Sequence, residues 1–522
     1  MSVATISPQQ VKAHLAEHHE IALIDVREHG EYGERHPFHS VNIPFSRFVV
    51  DLPPFVPNTE AMLVLFDEAE EGRAQQSADA ALELGYQRVY VLAGGAQGWA
   101  AAGFTLFAGV NVPSKTFGEM VEHHFHTPSI SATSLAAWQA QGKTLTVLDG
   151  RTELEYQQRA VPQAQSCPNG ELALRAEAMI KDASAPVVIH CAGRTRSLVG
   201  AETLRQLAPH LQVYALENGT QGWELAGLQV VQGLSDGYPE SIQATPDQEA
   251  AAQRWAQRNQ VSALDIDQVQ AWLSESKRTT YVFDVRTQKE FADQPFAGAV
   301  HAPGGQLLQA TDLWVGVRFS RIILVSDDQC RAPVVAGWLA MMGFTVGWYQ
   351  GTHENWQAAQ PLPSRPQPRP TQLEQMSVDE VADAGLLLLD VRTSSQFQQG
   401  HFVGSHWVNR SSLSTQIDQL PEPQPIAIVA ASGDLAEWVA APLQAAGYPV
   451  AGWLKFSATQ SRYPTTATTD DPPHHLRIDY LYFVHDRHMG NLEAAKQYLA
   501  WELGLIDQLD EEERSTYRML AS

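Results

Sequence analysis

Cysteine and positive charge are what this chain has least of. Three cysteines in 522 residues are too few, and too odd in number, for a disulfide framework. They point to a reducing compartment, so the cytoplasm is the expected location. Thirty-five Lys and Arg face 59 Asp and Glu, a formal net charge of −24. A field of that sign repels phosphate backbones and anionic lipid, which removes nucleic acid and membrane from the expected partners. Any anionic substrate needs a local island of positive charge. Met1 to Gln10 lacks the basic opening of a secretory signal. One uncharged run, Ala332 to Thr352, has the length to cross a bilayer of roughly 30 Å. Pro333, Gly337, Gly343, Gly347 and Gln350 interrupt it, and it reads as a core helix, a glycine turn and a strand. No phosphate loop ending in Gly-Lys-Ser/Thr is present. No metal and no cofactor is expected. His123, His124 and His126, like His485 and His488, lack companions that complete a metal site and read as surface histidines.

What the chain does have is a repeat. Its length corresponds to three or four domains at roughly 150 residues each. An apolar run ending in Asp-x-Arg occurs four times, at Asp25 and Arg27, Asp149 and Arg151, Asp284 and Arg286, and Asp390 and Arg392. A Gly-x-x-x-Gly-Trp close follows at Gly94 to Trp99, recurs as Asn218 to Trp223, and has a looser copy at Gly351 to Trp356. From Asp to Trp the separations are 74, 74 and 72 residues. Between these marks stand a second apolar strand (Met62–Phe66, Pro186–His190, Ile322–Val325, Ile426–Ala430), an Ala/Leu-rich helix, a glycine and another strand. Alternating strands and helices, with glycine closing the helix, describe a parallel sheet covered on both faces. The fold class is therefore α/β: four small tandem domains, each a parallel sheet flanked by helices, plus a helical tail. The expected boundaries are 1–107, 128–232, 260–360 and 373–465, with the tail at 466–522. Pro361 to Pro370, with five prolines, reads as an extended spacer, and Ser241 to Gln260 as a helical one. In the tail, Asn491 caps an expected helix with Leu492, Ala495, Leu499 and Leu503 on one face, ending at Gly504.

Ligands of parallel sheets bind beyond the C-terminal ends of the strands. In the second unit that loop reads Cys191-Ala192-Gly193-Arg194-Thr195-Arg196, opening a helix. Backbone N–H groups and the helix dipole there favour a thiolate, and two arginines add the positive island the chain otherwise lacks.

The repeated Asp-x-Arg strand, the Gly-Trp close and the Cys loop together resemble the rhodanese family of sulfurtransferases, over about four-fifths of the chain. Within the family the chain resembles the four-domain bacterial members, which are named for thiosulfate. The resemblance implies a persulfide mechanism. The Cys191 thiolate attacks the sulfane sulfur of a small anionic donor such as thiosulfate, and passes it to cyanide or a thiol. Ala192, Gly193, Arg194, Thr195 and Arg196 would cradle the donor, with Asp149 and Arg151 in support. Counting on from the repeated Asp puts Asp67, Asp327 and Ala431 in the place of Cys191, so the first, third and fourth units are expected to be silent. Cys330 and Cys167 are expected to be a helix-start residue and a core filler. Three other readings exist. 3-Mercaptopyruvate or another persulfide donor could replace thiosulfate. A Cys-dependent phosphatase or arsenate reductase would need arginine where Ser197 stands. A non-catalytic scaffold would leave Cys191 unexplained.

Overall fold

The computed structural model describes residues 3–358, 371–457, 464–467, 477–481, 484, 487 and 490–519. The proline-rich spacer, His485 and His488 lie outside the described residues. The first repeat has strands β1 (Ala4–Ile6), β2 (Ile21–Asp25), β3 (Val41–Asn42), β4 (Met62–Phe66) and β5 (Arg88–Leu92), in the order β1-β5-β4-β2-β3. The second has β6 (Ser129–Ile130), β7 (Thr146–Asp149), β8 (Ala164–Ser166), β9 (Val187–His190) and β10 (Val213–Leu216). The third has β11 (Ser262–Leu264), β12 (Thr280–Asp284), β13 (Val300–His301), β14 (Arg321–Val325) and β15 (Thr345–Tyr349). Both repeat the order of the first, and every pairing within the three sheets is parallel.

The fourth repeat is reduced. Strands β16 (Leu387–Asp390), β18 (His406–Trp407), β19 (Ile426–Val429) and β20 (Val450–Leu454) form a four-stranded parallel sheet. β17 (His401–Phe402) instead pairs antiparallel with β21 (Thr465–Thr466), a small sheet that the repeat pattern does not announce.

Each central strand is apolar throughout because both of its faces are covered. In β9, Val187 and Ile189 join a cluster with Leu148, Leu172, Leu198 and Leu204, while Val188 points to Val147, Leu135, Tyr156 and Trp223. Successive side chains of a strand leave on opposite faces, so one short run supplies two cores. The uncharged run resolves as expected into the helix Arg331–Met341, a turn at Gly343 and β15. Among the described residues no helix is long and apolar enough to cross a membrane.

The chain forms two compact units. One consists of Met1–His14, Ile21–Val110 and Arg365–Tyr482, and so holds the first and fourth repeats. The other consists of Leu15–Glu20, Asn111–Ser364 and Phe483–Ser522, and holds the second and third repeats with the tail. The tail helix Leu492–Leu503 is capped by Asn491 and ends at Gly504, as expected. Its buried face is the expected one at Ala495 and Leu499 but not at the two end leucines. Ala494, Ala495, Tyr498, Leu499 and Glu502 are inside, whereas Leu492 and Leu503 are 46% and 54% exposed. The stripe is rotated so that a glutamate, rather than a terminal leucine, faces inward.

Candidate active site

Strand pairing fixes which residues occupy equivalent places. Asp149 pairs with His190, and Cys191 is the next residue. The same pairings are Asp25 with Phe66, Asp284 with Val325, and Asp390 with Val429. The counterparts of Cys191 are therefore Asp67, Ser326 and Ala430. Asp67 stands where it was expected, but Asp327 and Ala431 each fall one place late. Counting along the chain cannot register a strand, because loop length between paired strands differs from copy to copy.

Cys191 begins a loop that enters the helix Thr195–Leu207. No protein group among the described residues accepts from the amides of Ala192 to Ser197. Unfilled N–H groups at a helix N-terminus are an anion site by construction. The other repeats fill theirs from within. In the first, the Asp67 carboxylate accepts from the amides of Glu71 and Ala74, at 3.2 and 3.0 Å. In the third, Asp328 accepts from the amides of Cys330 and Arg331, both at 2.8 Å. In the fourth, Ser432 caps the following helix by accepting from Leu435. Only the second repeat leaves a cysteine below an unoccupied cradle.

The two arginines are placed differently from one another. Arg196 makes a bidentate pair with Glu155, at 2.8 and 2.7 Å. The same pair recurs in other repeats as Arg73 with Glu31 and as Arg331 with Glu290. Arg196, expected as a donor ligand, is thereby tied to the helix Glu153–Gln158 and braces the loop. Arg194 has no such counterpart. It is bonded by Glu119 at 2.7 and 2.9 Å, and also by Glu122, both from the helix Val112–Phe125. Burial first, then the neighbouring carboxylates Glu502 and Glu122, push the Glu119 carboxyl up to about 7 against the pull of Arg194.

Cys191 is 2% exposed, and its Sγ lies 3.3 Å from the Ser197 hydroxyl. Ser197, the third residue of the loop helix, therefore supplies a polar contact at the place an arginine-dependent phosphatase would need its cation. The Asp149 carboxylate holds Arg151 through Oδ1 and Oδ2 at 2.9 and 2.7 Å, and His190 Nε2 lies 3.4 Å from it. Burial opposes charge on Asp149, yet His190 and Arg151 hold its carboxyl below the usual range. Burial pushes the His190 imidazole down against the pull of Asp149. The Asp–Arg pair is repeated at Asp25, Asp284 and Asp390, so it closes each first strand rather than marking the active copy. Cys167 is packed in the core with Leu148, Ile189 and Leu198. Burial first, and Glu171 second, push its thiol up. Cys330 is the N-cap of the helix Arg331–Met341 and is likewise buried, its thiol raised by burial and Asp328. No cysteine is in a disulfide.

The model of the rhodanese-like domain matches four times, at residues 7–102, 131–226, 265–359 and 370–456. This chain belongs to the rhodanese-like family. It is similar over 99% of its length to the whole of a crystal structure described as a thiosulfate sulfurtransferase from Pseudomonas aeruginosa, at 34% identity and a TM-score of 0.92. A rhodanese-related protein from Thermoplasma volcanium is 29% identical over 20% of this chain and 97% of its own, with a TM-score of 0.18. No curated protein sequence matches the chain significantly.

The outer wall of the site comes from two segments outside the four rhodanese-like domains. The helix Val112–Phe125 approaches so closely that a Cβ on Gly118 would stand 2.8 Å from the Thr195 side chain. It contributes Lys115, Glu119 and Glu122. The tail contributes Arg487, Tyr498 and Glu502. Together with residues Cys191 to Arg196 they enclose a cavity of about 20 Å³, room for one water-sized group. These walls were not legible in the sequence, since no motif links a rhodanese loop to helices before and far after it.

Proposed function

We propose that this protein is a sulfurtransferase that moves sulfane sulfur from thiosulfate to a thiophilic acceptor, cyanide or a thiol, through a persulfide on Cys191. The observation that carries this reading is the unoccupied amide cradle above Cys191, set against cradles filled by Asp67 and Asp328 in two sister repeats. The likeness to a structure described as a thiosulfate sulfurtransferase supports it. The Cys191 thiolate attacks the outer sulfur of thiosulfate, and the old S–S bond breaks with its electron pair leaving on sulfite. The terminal sulfur of the persulfide then sits among the amides of Ala192 to Ser197, which stabilise negative charge without reorganising. An acceptor attacks that sulfur, and the Cys191 thiolate departs. A cavity for one atom-sized group suits a single sulfur better than a phosphate. The first, third and fourth repeats carry no sulfur in this scheme.

Intact mass after incubation with thiosulfate alone tests the reading. One added sulfur atom, mapped to Cys191, is expected. No addition, or sulfur on Cys167 or Cys330, would refute it. A parallel incubation with 3-mercaptopyruvate ranks the two donors.

The electrostatics of Arg194 give a pH dependence. Below about 7 Glu119 becomes protonated and ceases to neutralise Arg194, so the loop gains positive charge while thiosulfate stays a dianion. The KM for thiosulfate is expected to fall roughly tenfold from pH 8 to pH 6, in line with one charge acting across a few ångströms at a protein surface. Glu119→Gln should keep the low value throughout. A KM that rises on acidification, or a Gln variant that retains the pH dependence, would contradict this role for Arg194.

A further inference from the structure

Glu502 is fully buried, yet only one of its carboxylate oxygens is used. Oε1 accepts from the Thr195 hydroxyl at 2.7 Å, and Oε2 has no hydrogen-bond partner. A Cβ built on Gly193 would stand 3.3 Å from Oε2, so this oxygen faces the middle of the Cys191 loop. Gln221 Nε2 would stand 3.9 Å from the same Cβ, and the residue is 3% exposed with both carboxamide polar atoms unpartnered. A buried carboxylate oxygen and a buried amide without partners are costly unless something visits them. Glu502 lines the cavity that opens on Cys191.

Thiol acceptors pose a problem that sulfite, already substantially deprotonated at neutral pH, does not. The thiolate is the nucleophile, and a free thiol of ordinary pKa, about 8.5, is mostly protonated at neutral pH. A base beside the cradle removes that obstacle. We propose that Glu502 is the base of the acceptor half-reaction, taking the S–H proton of an incoming thiol as its sulfur attacks the persulfide on Cys191. The inference rests on the persulfide reading above. The acceptor's S–H bond breaks and its proton moves to Glu502 Oε2. Its sulfur forms a new S–S bond with the outer sulfur of the persulfide. The S–S bond to Cys191 breaks with its pair returning to Sγ, and Glu502 then releases its proton to water. The charged groups around Glu502 are Lys115 and Glu119 from the linker helix, Arg194 from the loop, Arg487 from the tail, and Cys191 itself. Lys115 has no carboxylate partner among the described residues, and it offsets the negative charge that Glu502 brings to the cavity.

The test compares Glu502→Gln with wild type after both are loaded with sulfur from thiosulfate and then discharged, in separate runs, by sulfite, which regenerates thiosulfate, and by dithiothreitol. Glutamine keeps the size of the side chain and an oxygen for Thr195. The ratio of thiol to sulfite discharge rates is expected to fall roughly a hundredfold at pH 7, the lower end of what general-base catalysis supplies. It should recover toward the wild-type ratio above the thiol's own pKa. Loading by thiosulfate, read by intact mass, shows that the variant is folded. An unchanged ratio, or equal losses with both acceptors at every pH, would overturn the assignment of Glu502 and leave the persulfide reading standing. If wild type takes up no sulfur, the persulfide reading falls, and the role of Glu502 falls with it.

Discussion

Cys191→Ser is expected to lower thiocyanate formation from thiosulfate and cyanide by at least about a thousandfold, because a serine hydroxyl cannot carry the sulfane sulfur through a persulfide. The oxygen remains beside Ser197 and beneath the same amides, so donor binding should survive while turnover is lost. Binding can be followed separately, by protection of the loop Ala192 to Ser197 from hydrogen exchange when thiosulfate is added. Cys167→Ala and Cys330→Ala provide the contrast. Both thiols are buried away from the cradle amides and raised by that burial. Each variant should keep sulfur transfer within about threefold of wild type, as surface-remote packing changes rarely alter chemistry. Residual activity in Cys191→Ser, or its loss in either alanine variant, would move the sulfur carrier elsewhere.

The second large effect is on stability. Arg331 is 1% exposed and joins Glu171, Glu290, Asp327 and Asp328. Glu171 belongs to the second repeat and Arg331 to the third, so this cluster ties the two repeats of one unit together. Arg331→Met fills much the same space but removes one of the two guanidinium groups on the buried Glu171 carboxylate, leaving Arg175 alone with it. Removing one partner of a buried pair costs about 3–5 kcal/mol, more than such a pair contributes when intact. The Glu171 carboxyl is already raised by burial, and loss of Arg331 raises it further. A raised carboxyl pKa withdraws stability as pH climbs through it, so the deficit of the variant should be greatest above neutrality and shrink toward pH 5. Urea midpoints at both pH values, with hydrogen exchange in the helix Leu172–Met179 to localise the loss, measure this. Glu171→Gln added to Arg331→Met should recover part of the deficit. A deficit that grows on acidification would mean that Glu171 is not the stranded charge.

Much of this architecture is written in spacing. Asp-x-Arg is visible at every first strand because the arginine must fold back on the aspartate to end it, and that geometry tolerates no insertion. The central strands are visible because both faces are buried. The edge strands β3 and β13 are two residues long, too short for any periodicity to mark them. The sequence carries a further register. Glu31, Glu155 and Glu290 each stand six residues after the repeated aspartate, where they pair with Arg73, Arg196 and Arg331. That register separates Arg196, a brace common to three repeats, from Arg194, whose partners Glu119 and Glu122 come from the helix Val112–Phe125 that precedes the second repeat. Glu502 had no such register. Its importance comes from where a tail folds, and an amphipathic pattern read for leucines does not mark a buried glutamate.

The hydrogen bond between Thr195 and Glu502 joins residues 307 positions apart. A ribosome adds roughly 5–20 residues each second, and domains generally fold as they emerge. The cysteine loop is thus made, and its sheet can assemble, well before the residues that wall it exist. During that interval the nascent second repeat presents its sulfur to the surrounding thiols without an enclosing side. Closure follows only when the distant helix arrives, so the order of synthesis itself separates a reactive, unguarded loop from the finished site.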